Sequence, residues 1–158
     1  MDTATLLGFL LSCAPQVDPM TAQALISVES SRNPHAIGVV GGVLEYQPRN
    51  RRQAVATAAA LQADGWNFSL GLAQINLHNL ARLGLNLETA FDPCANLAAM
   101  QQVLSECFQR STRATVRANT SEQHVLRQAL SCYYSGNFDT GFRHGYVRRV
   151  ALQAHRPR

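Results

Sequence analysis

From Asp18 onward, apolar residues recur at helical spacing: Ala22, Leu25 and Ile26 share one stripe, and the next position on it is Glu29. That period predicts an amphipathic helix. Asp18-Pro19 opens it, an acceptor side chain followed by a proline whose missing N–H costs nothing in a first turn. Asn33-Pro34 forces it to stop, because proline disfavours helical geometry in the residue before it. The same reading places a short helix at about Thr3 to Ala14 and another over "RRQAVATAAALQADG", ending at Gly65. Asp92-Pro93 repeats the cap-and-proline signature for a helix to about Arg110. Ser121 caps a helix that ends near Tyr134 with Gly136 as terminator, and a last helix follows Gly145. Between them, "AIGVVGGVLEYQP" is β-branched with Gly41-Gly42 at its middle and predicts a small hairpin. "GWNFSLGLAQINLHNLARLG" starts extended and becomes a short helix from about Leu77, and polar "STRATVRANT" predicts a loop. The expectation is a mainly α (α+β) fold, one domain over 1–158, with several helices, a small β-hairpin and a cleft between the two.

Glu29 breaks the pattern. A carboxyl group on an apolar helix face loses hydration, which raises its pKa and lets it donate a proton near neutral pH. The competing explanation is structural: the side chain snorkels outward or pairs with Arg32. Periodicity does not separate the two.

Composition narrows the field. At 158 residues with 46% hydrophobic and 15% charged side chains, the chain can bury a core without staples. "TLLGFLLSCA" is too short to span a membrane and has no basic residue before it, so it is expected to be a first helix following a removed export signal. All fourteen basic residues are arginine, with clusters at Arg49, Arg51 and Arg52 and at Arg143, Arg148 and Arg149. Without interleaved stacking aromatics these clusters predict no nucleic-acid binding, but a mildly cationic surface suits an anionic polymer such as the bacterial wall.

Cys13, Cys94, Cys107 and Cys132 match no zinc spacing, and an even, widely spaced set predicts two disulfides in an oxidising compartment. Cys94 and Cys107 sit at opposite ends of one predicted helix, roughly 20 Å apart at its rise per residue. A disulfide spans only about 7 Å between Cα atoms, so that pair is excluded. Cys13–Cys94 with Cys107–Cys132, or Cys13–Cys107 with Cys94–Cys132, remain; the first is favoured. His35, His78, His124, His144 and His155 form no ligand spacing and no serine lies in a nucleophile elbow. No metal or other cofactor is expected.

Three stretches read in order resemble the soluble lytic transglycosylase family, whose fold is that of goose-type lysozymes: "VES" at 28–30, "GLAQIN" at 71–76, and "SCYYSGN" at 131–137. "GWNFSLGLAQIN", "FDPCANL" and "YYSGNF" further resemble the specialised members that accompany type IV secretion systems. The resemblance implies that Glu29 protonates the glycosidic oxygen between N-acetylmuramic acid and N-acetylglucosamine, then acts as base. The muramic C6 hydroxyl would attack C1 and leave a 1,6-anhydro end. It implies substrate contacts from Ser30, Gln74, Asn76, Tyr133 and Tyr134, with Tyr133 touching the acid. Tyr134 stands where the family has asparagine, so it would stack on a sugar or pack inward. Ser30 capping its own helix and Asn76 stabilising its loop are the structural alternatives.

The implied partners are peptidoglycan glycan strands and secretion-system components, and the implied location is the periplasm. Ordinary glycosidases need a second carboxylate. None of the other nine acids lies in the three motifs, and Glu45 and Asp139 are expected on the surface or as caps. Trp66 and Phe68 are expected in the core rather than as a sugar platform. A water-using muramidase and a non-catalytic wall-binding assembly module are the two competing readings.

Overall fold

The structure is a computed structural model that describes residues 1–116 and 119–155. Among them are seven α-helices and one three-stranded antiparallel sheet, with strand order β1-β2-β3. Contacts divide the chain into two compact units, Met1–Met100 and Gln101–Arg158, with the boundary inside the helix that starts at Pro93.

The first unit begins with α1 (Thr3–Cys13), capped by Asp2, whose carboxylate accepts from the Thr5 N–H and the Thr5 hydroxyl. Those two bonds hold the Asp2 carboxyl below the usual carboxylate range. α2 (Pro19–Ser30) is capped by Asp18 as expected, and its apolar stripe is fully buried at Ala22, Leu25 and Ile26. α3 (Arg51–Ala63) opens on a reciprocal cap: the Gln53 N–H donates to Asn50 Oδ1 while Gln53 Oε1 accepts from the Arg49 N–H.

The expected hairpin over residues 36–48 does not form. β1 (Ile37–Val39) pairs instead with β2 (Phe68–Leu70), across the whole of α3, in the register Ile37–Leu70, Gly38–Ser69 and Val39–Phe68. β3 (Ile75–Asn76) joins the other edge of β2. The remaining edge of β1 is satisfied by a side chain: Gln47 Oε1 accepts from the Ile37 N–H, and Gln47 Nε2 donates to the Ile37 carbonyl. Pro48 follows directly and carries no N–H for a ladder, which is why the second arm ends as an amide clamp rather than a strand. The helix expected from Leu77 is two 3₁₀ turns, Leu77–Asn79 and Ala81–Leu83, ended by Gly84 in the left-handed region.

α4 (Pro93–Thr115) runs five residues beyond its expected end. Its polar tail stays helical because Thr112 and Thr115 return their hydroxyls to the carbonyls of Phe108 and Ser111, four residues back. Ser111 is buried and donates to Gln128 Oε1 at 2.8 Å. Arg117 and Ala118 of the expected loop lie outside the described residues. In the second unit, α5 (Glu122–Ser135) starts at the Ser121 cap and ends at Gly136 in the left-handed region, both as read from sequence. A helical turn, α6 (Thr140–Arg143), was not foreseen; α7 (Tyr146–Ala154) follows Gly145. No helix among the described residues is long and apolar enough to cross a membrane.

Both disulfides have the favoured pairing: Cys13–Cys94 joins α1 to the start of α4, and Cys107–Cys132 joins α4 to α5. They close separations of 81 and 25 residues. Loop entropy predicts that the serine pair at 13 and 94 costs about 4–5 kcal/mol, and that at 107 and 132 about 3–4 kcal/mol. Urea titration of each double variant checks this, and an unchanged midpoint would contradict the pairing. Asn96, 1% exposed in α4, donates through Nδ2 to the carbonyls of Leu70 and Ala90 and accepts the Ala73 N–H. Asn96→Ala removes three hydrogen bonds to backbone groups and should cost about 3 kcal/mol in the same titration; a loss under about 1 kcal/mol would contradict that role.

Candidate active site

Glu29 occupies the last turn of α2 and is half-buried. The helix ends abruptly beyond it. Ser31 and Arg32 both take left-handed backbone angles, φ 53° and 64°, and the Ser31 N–H donates to the Ser27 carbonyl. Asn33 then folds an Asx turn, its Oδ1 accepting the His35 N–H at 2.9 Å. Arg32, the suspected structural partner of Glu29, directs Nη1 to the Thr3 hydroxyl at 2.6 Å. His35 lies in the same turn, and burial, with the amino-terminal ammonium adding to it, lowers its imidazole pKa and keeps it neutral at pH 7.

The turn leads to Ala36, whose carbonyl is the junction between the first two motifs. It accepts the Gly71 N–H at 2.9 Å and Gln74 Nε2 at 3.2 Å. Gln74 Nε2 also donates to the Gly71 carbonyl at 2.9 Å, and the Gln74 backbone itself is left-handed at φ 51°. Two carbonyls facing one amide nitrogen fix the orientation of the group, so Gln74 Oε1 points the other way, over Gly38. A Cβ on Gly38 would lie 2.5 Å from that oxygen, and glycine there leaves room for the side chain to cross β1. Gly71 is equally constrained: at φ 76°, its Cβ would meet Asn96 Nδ2 at 2.5 Å and the Ala90 oxygen at 2.7 Å. The loop that follows "VES" is thus joined at Ala36 to "GLAQIN" by hydrogen bonds within the first unit.

Other sequence-predicted residues have local work. Ser30 donates its hydroxyl to the Ile26 carbonyl one turn back, which leaves its lone pairs available as acceptors. Asn76 Oδ1 accepts the His78 N–H, and its Nδ2 donates to Asn67 Oδ1 and Ser69 Oγ. Phe68 is fully buried, whereas Trp66 is 46% exposed and lies against Gly42, so the expectation of core packing holds for only one of them. A groove of about 500 Å3 along α3, lined by Arg51, Arg52, Val55, Ala56, Ala59 and Glu88, contains none of the predicted site residues.

The third motif is described within the second unit. Tyr133 is half-buried on α5. Tyr134 is 41% exposed, stacked on Tyr146 with ring centroids 4.6 Å apart, and its hydroxyl meets His144 Nδ1 at 3.1 Å. Ser131, buried and unassigned from sequence, accepts the Gly141 N–H and donates to the Asn137 carbonyl. A Cβ at Gly141 would come within 2.6 Å of Ser131 Cα, so this serine-glycine contact sets how closely α6 approaches α5. Arg110 holds the end of α5, donating to Cys132 Sγ and the Gly136 carbonyl while covering the Phe138 ring.

The other acids have roles or exposure of their own within each unit. Asp2, Asp18 and Asp92 cap α1, α2 and α4, and Glu88 pairs with Arg51 at 4.0 Å. Glu106 accepts from Gln102; Glu45, Asp64, Glu122 and Asp139 are exposed. Among the described residues, no group of three or more His, Cys, Asp or Glu side chains is gathered to hold a metal.

Three comparisons bear on this arrangement. The chain is 48% identical over 147 residues to the type IV secretion system protein virB1 of Brucella abortus and, equally, of Brucella suis, covering 90% of this chain and 60% of theirs. It is 34% identical over 149 residues to protein virB1 of Agrobacterium fabrum, covering 93% of this chain and 58% of that one. The chain spans about three-fifths of the length of these relatives. No solved structure matches it significantly. The transglycosylase SLT domain model matches residues 10–153, from α1 through α7 and across all three motifs, so the chain belongs to the transglycosylase SLT domain family.

Proposed function

We propose that this chain is a peptidoglycan lytic transglycosylase that cleaves the β-1,4 bond between N-acetylmuramic acid and N-acetylglucosamine without consuming water. The observation that carries the reading is the position of Glu29 in a chain matched over residues 10–153 by the transglycosylase family. The group is half-buried in the last turn of a helix, where the peptide dipoles present their negative end. Partial desolvation and that dipole both disfavour a carboxylate relative to a carboxylic acid. A neutral acid is the form that can protonate a glycosidic oxygen.

In the reaction, Glu29 donates its proton to that oxygen as the bond to C1 of the muramic residue breaks. The substrate's acetamido group stabilises the positive charge developing at C1. The C6 hydroxyl oxygen of the same sugar then bonds to C1, and its proton passes to the Glu29 carboxylate. One proton leaves the acid and one returns, and the product carries a 1,6-anhydro ring. The resemblance assigns Tyr133 to orienting the acid and Ser30, Gln74, Asn76 and Tyr134 to contacting the glycan. The distribution of the other carboxylates supports a one-acid scheme over a hydrolase. In the first unit they cap helices, pair with arginine or face solvent, whereas hydrolysis calls for a second carboxylate at a defined separation.

The Brucella relatives are named type IV secretion system proteins, which, with the transglycosylase family, supports a role in opening the wall for such a system; that role would place the protein in the periplasm with secretion components as partners. The two disulfides suit that oxidising compartment.

Mass spectrometry of muropeptides released from purified sacculi tests the reaction. Wild type is expected to release anhydro ends, and Glu29→Gln to lose activity by about 100-fold or more. Water-added ends would replace the scheme by a muramidase, and equal behaviour of wild type and Glu29→Gln would favour the wall-binding module.

A further inference from the structure

The sheet has two unlike faces. Ile37, Phe68, Leu70 and Ile75 are buried on one of them. The register places Gly38 opposite Ser69 and Ser69 opposite Asn76 on the other. Asn67, two residues before Ser69, continues that face, and its carbonyl accepts the Val40 N–H at 2.9 Å. The outer face is therefore polar: Asn67, Ser69 and Asn76, with the Gln74 amide laid across Gly38.

Hydrogen bonding fixes the polarity of each group. The Asn76 amide is oriented by the His78 N–H, which requires its oxygen, so its nitrogen faces β2. That nitrogen donates to Asn67 Oδ1 at 2.9 Å and to Ser69 Oγ at 3.3 Å. Asn67 Nδ2 consequently turns outward as a donor with no partner among the described residues. Ser69 Oγ, already an acceptor, keeps its hydroxyl proton to give. Gln74 is the complement: its nitrogen is spent on the Ala36 and Gly71 carbonyls, which leaves Oε1 as an acceptor. No side-chain oxygen or nitrogen among the described residues is both buried and without a partner, so this acceptor reaches solvent.

We propose that Asn67, Ser69 and Gln74 form a binding subsite that reads a secondary amide of the glycan: Asn67 Nδ2 and Ser69 Oγ donate to the carbonyl of a sugar N-acetyl group, and Gln74 Oε1 accepts its N–H. The Gln74 amide fills the space over Gly38, so the sugar ring lies beside that amide, over Ser69. The subsite deepens the peptidoglycan reading and rests on it for the choice of ligand. A peptide amide of the wall's stem offers the same chemistry, and the test separates the two sources.

The test uses calorimetric binding by the whole chain in the Glu29→Gln background, so that no turnover intervenes. The probes are the tetramer of N-acetylglucosamine, cellotetraose (which lacks acetamido groups) and a sugar-free stem peptide. Ser69→Ala removes one donor. Asn67→Asp keeps the oxygen that Asn76 needs and turns the outward donor into a charged acceptor. Ser69→Ala should weaken the acetylated tetramer about three- to tenfold, and Asn67→Asp about tenfold or more, with circular dichroism showing both variants folded at the assay temperature. Cellotetraose should bind weakly and indifferently to both changes.

The proposal is overturned if the acetylated tetramer does not bind, if it binds both variants as tightly as their parent, or if the stem peptide and not the sugar responds to them. Wall digestion is scored separately. Anhydro ends from wild type with unaffected sugar binding would remove the subsite and leave the enzyme. Weakened sugar binding in a protein that releases nothing from sacculi would keep the subsite and remove the enzyme.

Discussion

One buried amide organises the first unit. Asn96 saturates three backbone groups from two separate segments: the end of β2 and the turn that follows it, at Leu70 and Ala73, and the 3₁₀ turn at Ala90. A buried peptide group that loses such a partner is costly. The amide also dictates Gly71, because any side chain there would occupy its position. Gly71 in turn supplies the carbonyl that Gln74 needs and the N–H that holds Ala36. From α4 to the loop after α2, the chain of contacts is Asn96, Gly71, Gln74, Ala36. The stretch that follows Glu29 is held by that chain together with the burial of Ala36 and Ile37, and the hydrogen bonds add a defined direction that apolar contacts lack.

The helices were largely legible because their ends are written in local chemistry. Asp18-Pro19, Asp92-Pro93, Ser121 and Gly136 each act within one turn, and each does in the structure what its type implies. The failures came where a partner distant in sequence decides. β1 found its neighbour beyond α3, some thirty residues on, and no short-range signal in 36–48 says so. Gly41-Gly42 marks a turn, but Pro48 and the Gln47 clamp decide the far side. The tail of α4 looked like a loop because Ser and Thr usually compete with helix bonds. Here their hydroxyls are absorbed four residues back and Ser111 is claimed by Gln128.

The candidate site was legible to a different degree in its two parts. Glu29 announced itself as an acid on an apolar stripe, and "GLAQIN" by resemblance. Their junction at Ala36 was not readable, because it runs through a backbone carbonyl that no residue type advertises. Asn96 and Ser131 were missed for a related reason: each looks like an ordinary polar residue in a helix until its buried partners are known. Asn67 and Ser69 did carry a signal. The alternation Asn67, Phe68, Ser69, Leu70 is a strand with one polar face, and it sits immediately before the matched motif.

The chemistry of that face agrees with a single-acid mechanism. A glycan is largely uncharged where it is gripped, so neutral amides and hydroxyls recognise it without placing charge beside the reacting centre. A carboxylate on the outer face would bind a sugar hydroxyl more strongly. It would also hold any nearby proton donor in its acidic form more tightly and delay the release of that proton. Under the proposed scheme, using Asn67, Ser69, Gln74 and Asn76 there, while Asp2, Asp18 and Asp92 are committed to helix caps, would separate recognition from proton transfer. In the proposed scheme, proton transfer is left to Glu29, half-buried in the last turn of α2.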